Sequence, residues 1–105
     1  MARPKTWDEK PKALYYNGVT TQFFTRRDLG MALNREPGTI RQLEDKGVLC
    51  HPLVRNHRGH WLYTREQIEA LIELAREEGV LDPRYRKSFS ERFIREAWRI
   101  LKREP

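Results

Sequence analysis

The spacing of apolar positions changes repeatedly along this chain, and each change predicts an element. Residues 1–13 show almost no apolar periodicity and hold four Lys or Arg and two Pro, so they read as a flexible N-terminal arm. Ala13-Leu14-Tyr15-Tyr16 and Val19-Thr20-Thr21-Gln22-Phe23-Phe24 are β-prone runs separated by Asn17-Gly18. An Asn-Gly turn supplies the two positive φ angles that a tight hairpin needs, which places a hairpin over about 14–23.

Thr25, followed three positions later by Asp28, has the pattern of a helix N-cap with its capping-box partner. Leu29, Ala32 and Leu33 then recur at helical spacing. Beyond Asn34-Arg35, Pro37 suits the first turn of a second helix, whose Ile40 and Leu43 face inward and which Gly47 closes. Two short helices joined by a tight turn make a helix-turn-helix. From Val48 to Tyr63 the pattern is extended: Pro52 opposes helix, and Asn56-His57-Arg58-Gly59 is a turn between Leu53-Val54 and Trp61-Leu62-Tyr63. Thr64 and Gln67 repeat the capping box. Ile68, Leu71, Ile72 and Ala75 stripe a third helix that Gly79 ends, and residues 82–88 form a basic linker. A last helix, about Ser90 to Arg103, carries Phe93, Ile94, Ala97, Trp98 and Leu101 on one face. The expected fold class is mainly α with small β-hairpins: a winged helix-turn-helix with an N-terminal hairpin and an extra C-terminal helix. The expected division is an arm (1–13), the hairpin plus winged domain (14–79), and a linker with an amphipathic helix (80–105).

Composition narrows the chemistry. A length of 105 residues suits one domain, and 21 Lys or Arg against 15 Asp or Glu give a net charge of +6. A small basic domain is a candidate for nucleic-acid binding. No apolar run reaches the length of a membrane span, no secretory signal opens the chain, and a lone Cys50 points to a reducing cytoplasm. Phe24, Trp61, Tyr63, Phe93 and Trp98 are the aromatics expected to anchor the core. Cys50, His51, His57 and His60 are enough donors for zinc. However, Cys50 and His51 are adjacent, and their spacing matches no paired zinc pattern, so no metal or other cofactor is expected. No catalytic triad, phosphate-binding glycine loop or carboxylate pair stands out, which argues against an enzyme.

The stretch from Phe24 to Leu49 resembles the opening of the MerR-like family and its phage excisionase relatives. Pro37, Thr39, Ile40, Arg41, Glu44, Gly47 and Leu49 fall in that family's register without a gap. The resemblance resumes at Trp61-Leu62-Tyr63-Thr64-Arg65-Glu66-Gln67-Ile68, similar to the end of the family's wing. It spans roughly residues 14–79 and implies a cytoplasmic protein, phage-encoded or actinobacterial, that binds double-stranded DNA as a transcriptional regulator or an excisionase-like architectural factor. The chain departs from the pattern at Gln42 and Leu43, where an aromatic is usual, and at Glu36, a poor N-cap. In such a fold the second helix enters the major groove and the wing reaches the neighbouring backbone or minor groove. The implied DNA-binding residues are Arg26, Arg27, Arg35, Thr39, Arg41 and Gln42 from the helices, with Arg55, Asn56 and Arg58 from the wing.

The 90–103 helix leaves alternatives open. It can fold back on its own domain, pair with a second copy as relatives of this type do, or dock a different protein. The last option supports a rival reading, in which the same fold serves as an adaptor in a genome-packaging complex or inhibits a host protein.

Overall fold

The computed structural model describes residues 6–82, 84 and 88–103. Residues 1–5 of the expected arm, Pro83 and residues 85–87 of the expected linker, and residues 104–105 lie outside the described residues. The elements are β1 (Lys12–Tyr16), β2 (Val19–Phe24), α1 (Arg26–Ala32), α2 (Pro37–Asp45), β3 (Val54–Arg55), β4 (Trp61–Thr64), α3 (Arg65–Glu77) and α4 (Glu91–Leu101).

Local chemistry sets most boundaries. Asn17 and Gly18 adopt φ of 51° and 82°, as the β1–β2 turn requires. Both capping boxes form: Thr25 with Asp28 at α1, and Thr64 with Gln67 at α3. Glu36 gives α2 no side-chain cap, and Pro37 opens that helix. Between α1 and α2 the chain turns through Asn34 at φ 57°. Gly30 makes this turn possible, because a Cβ there would lie 2.7 Å from the Arg35 carbonyl oxygen.

The expectation of separate small hairpins is corrected. They merge into one antiparallel sheet of order β1-β2-β4-β3, so the molecule is a mixed α/β domain rather than a mainly α one. The seam is short: Phe23 pairs with Thr64 and Phe24 with Tyr63. Adjacent strand residues point to opposite faces. Phe24 and Tyr63 therefore enter the main core with Leu29, Ile40, Ile68 and Leu71. Phe23 turns the other way and joins Val54 and Leu62 in a second cluster, flanked by Leu14 and Tyr16.

Within the expected arm, Trp7 and Asp8 make tertiary contacts. Trp7 sets its ring edge-on to Phe24 with centroids 4.8 Å apart, and Asp8 pairs with Arg65 at 3.1 Å. The Thr6 hydroxyl and then Arg65 hold the Asp8 carboxyl below its ordinary range. Burying one large aromatic outweighs a polar local composition.

The C-terminal helix folds back. Phe93, Ala97, Ile100 and Leu101 of α4 are buried in the main core, against α3. The amide nitrogen of Gln67 donates to the carbonyls of Leu101 (3.3 Å) and Arg103 (3.1 Å), closing the end of α4. The buried face is rotated toward Ile100. Trp98 is thus 41% exposed, its indole nitrogen donating to the Gly47 carbonyl at 2.9 Å, and is no core anchor. Trp61 is also only half-buried. Among the described residues, no helix is long and apolar enough to cross a membrane.

Candidate nucleic-acid interface

The uncapped start of α2, the start of α1 and the turn of the β3–β4 wing surround one open cleft of about 400 Å³. It is lined by Thr25, Arg26 and Arg27 from the first helix, Pro37 from the second, and Gly59, His60 and Trp61 from the wing. Helix N-termini carry unsatisfied N–H groups and partial positive charge, which suits an anion.

The second helix presents a polar outer face. Ile40 is fully buried, Leu43 partly, and Thr39 is half-buried, while Arg41, Gln42 and Asp45 are exposed. Arginine and glutamine are the side chains that grip guanine and adenine edges with paired hydrogen bonds.

The wing tip is tightly built. Asn56 accepts the backbone N–H groups of Arg58 and His60 on its side-chain oxygen, both at 2.9 Å. That oxygen therefore shapes the turn. Arg55 folds back along the ribbon, its Nε donating to the Gly59 carbonyl at 3.3 Å and its guanidinium 4.4 Å from the Trp61 ring centre. His57 and Arg58 project into solvent.

Two more of the implied arginines, besides Arg55, are engaged within the protein. Arg26 donates to Glu44 through Nε at 2.9 Å and Nη2 at 3.1 Å. Burial opposes the Arg26 charge, but the bond to Glu44 raises its pKa above the ordinary value. Arg35 donates to the carbonyls of Val80 at 2.6 Å, Leu33 at 3.1 Å and Asp82 at 3.2 Å, and so braces the turn between α1 and α2 against the exit of α3. Arg27, Arg41 and Arg58 are exposed, and among the described residues none of the three forms an ion pair. The structure thus groups Arg26 and Arg27 at the cleft, leaves Arg41 and Gln42 on the outer face of α2, and sets Arg35 apart as a brace.

Several important residues escape sequence reasoning. Glu44 belongs to the family-like motif, yet nothing in its spacing announces a carboxylate whose side chain is only 3% exposed. Its Oε2 also meets His51 Nε2 at 2.7 Å. His51 in turn stacks on Trp61, with centroids 4.6 Å apart and planes 15° from parallel. The Cys50 thiol is pushed up by burial and lies 3.9 Å from the Trp98 carbonyl. Among the described residues, no group of three or more His, Cys, Asp or Glu is placed to hold a metal ion.

Some of the charge on the last two helices is paired. Arg92 of α4 reaches Glu77 and Glu78 of α3, and Arg99 pairs with Glu96. Lys102 and Arg103, just beyond the end of α4, are exposed.

A family model described as the MerR HTH family regulatory protein matches residues 24–80, from the last residue of β2 to just beyond α3. Comparison with curated proteins and with solved structures returns no match.

Proposed function

The chain belongs to the MerR helix-turn-helix family of regulatory proteins over residues 24–80, and from that membership we propose that it reads double-stranded DNA through α2 and the β3–β4 wing. The observation that carries this reading is the cleft between the starts of α1 and α2 and the wing turn, lined by Arg26 and Arg27. A phosphate group seated there meets the exposed Arg27 guanidinium and the N-terminal end of α2, with Arg26 held beside it by Glu44. Docking in that orientation aims Thr39, Arg41 and Gln42 at base edges in the major groove. Arg55 and Arg58 then meet the flanking backbone or an adjacent narrow minor groove. Arg35 and the side chain of Asn56 act on the shape of the reader rather than on DNA.

Such a protein needs no chemistry, since placing a protein or a bend at a chosen site is itself the regulatory act. Within that reading it serves as a transcriptional regulator, with an excisionase-like bending factor as the neighbouring role. Selection of bound duplexes from a random pool tests the first point. A recurring short motif is expected, and a pool that stays random through successive rounds contradicts sequence reading. Gel mobility with the selected motif placed at the middle or the end of the probe then separates the two roles, because only a bend makes mobility depend on position.

A further inference from the structure

Five side chains form a continuous run of contacts across the elements that frame the cleft. Arg26 of α1 grips Glu44 of α2 through two nitrogens, at 2.9 and 3.1 Å. Glu44 meets His51, in the segment between α2 and β3, at 2.7 Å. His51 stacks on Trp61 of β4, and the guanidinium of Arg55 on β3 stands 4.4 Å from the centre of the Trp61 ring. Arg55 and Trp61 are cross-strand partners and therefore share one face of the ribbon. The run has a buried anchor at Glu44, 3% exposed, and an open outer end, because the His51 side chain is 48% exposed and Arg55 is exposed.

We propose that Glu44, His51 and Trp61 are positioning residues for Arg55, holding its guanidinium at a set place relative to α2 so that wing and recognition helix meet DNA as one rigid reader. This rests on the DNA-binding reading above. An arginine on a two-residue strand would otherwise sample many rotamers, and ordering it would count against binding. Here a cation–π contact and the bond to the Gly59 carbonyl order it beforehand. The histidine ties Trp61 to the same helix that carries Arg41 and Gln42. A purely structural purpose fits poorly, since the His51 side chain is half open to solvent and Trp61 lies outside both buried core clusters.

A double-mutant cycle on a fluorescein-labelled duplex of random sequence, titrated at several salt concentrations, tests the proposal. Arg55→Ala is expected to weaken binding several-fold and to make the salt slope shallower by about 1, the loss of one phosphate contact. Trp61→Leu is expected to do the same. The double variant should be no worse than either single, because both changes remove one contact. Trp61→Phe, which keeps a flat ring, should recover most of the loss. In the free protein, the Arg55 Nε–H resonance should be sharp and ring-shifted, and Trp61→Leu should collapse it into the exposed-arginine envelope. Where circular dichroism finds Trp61→Leu unfolded, His51→Ala takes its place in the cycle with the same expectation.

Losses that multiply in the double variant, or a slope that Trp61→Leu leaves unchanged, overturn the proposal. So does an Arg55→Ala variant indistinguishable from wild type. In each of these cases the wild type still binds, and the functional reading survives. A wild-type protein that binds no duplex removes that reading and the proposal together.

Discussion

The guanidinium of Arg35 donates to the Val80 carbonyl at 2.6 Å, which joins the turn between α1 and α2 to the chain leaving α3. A basic residue beside a recognition helix looks like a phosphate ligand in a sequence; here its geometry is that of a brace. Arg35→Ala removes a charged donor from several part-buried carbonyls and should cost about 1–3 kcal/mol of stability, as for hydrogen bonds to a charged group. Thermal melts measure the cost. The salt slope of DNA binding by the remaining folded protein should stay as in wild type, and a slope shallower by about 1 would make Arg35 a phosphate contact instead.

Arg41 is the sharper test of the recognition helix. If it holds a guanine edge with two hydrogen bonds, Arg41→Ala should cost about 1–3 kcal/mol on the selected motif and relax preference at one base position. Competition between the selected duplex and its single-base variants gives the answer. Equal losses on every duplex would reduce Arg41 to a backbone contact.

The C-terminal helix makes its own prediction. Leu101 is fully buried, and Leu101→Ala should cost about 2–5 kcal/mol. Trp98→Ala should cost less, because that ring is 41% exposed and gives up mainly one hydrogen bond to Gly47. Sedimentation should find a single-chain mass independent of concentration, since α4 already has its apolar face covered by its own domain. A mass that rises with concentration would point to a second contact surface.

Tyr63 predicts an alkaline limb. Burial, and then the negative charge of Glu44, push its phenol well above the ordinary tyrosine value. The fold favours the protonated ring, so its contribution is complete below the unfolded tyrosine pKa of about 10 and is lost as pH rises beyond it. Tyr63→Phe should make the decline in Tm above that pH shallower than in wild type. An identical decline in both proteins would assign the alkaline loss to other groups.

What the sequence discloses is chiefly local. Asn17-Gly18, Thr25 with Asp28, and Thr64 with Gln67 each act within four residues, so their turns and caps can be read directly. The sheet seam at Phe23 and Phe24 joins positions some forty residues distant from their partners, and no periodicity in either ribbon encodes that meeting. Trp7 escapes as one aromatic in a polar stretch whose ring contacts, Phe24 and Arg65, belong to other elements. The candidate interface divides similarly. The outward set on α2 follows from helical spacing once Ile40 is turned inward. The assignment of Arg26 to Glu44 and of Arg35 to backbone carbonyls depends on tertiary neighbours. Even α4, whose apolar stripe was legible, turned its face toward Ile100, because Gln67 and α3 decide how it lies.

The central claim is that α2 and the wing bind duplex DNA through a limited number of phosphate contacts, with base reading added on top. Fluorescence anisotropy of a labelled random-sequence duplex, titrated with wild-type protein from about 50 mM to about 200 mM salt, tests it most directly. The account predicts binding at the low end and a linear fall of log affinity with log salt. With Arg27, Arg55 and Arg58 as the backbone contacts the slope should be about −3, near −0.9 per phosphate neutralised. No binding at about 50 mM salt, where phosphate contacts are strongest, or an affinity indifferent to salt, would contradict it.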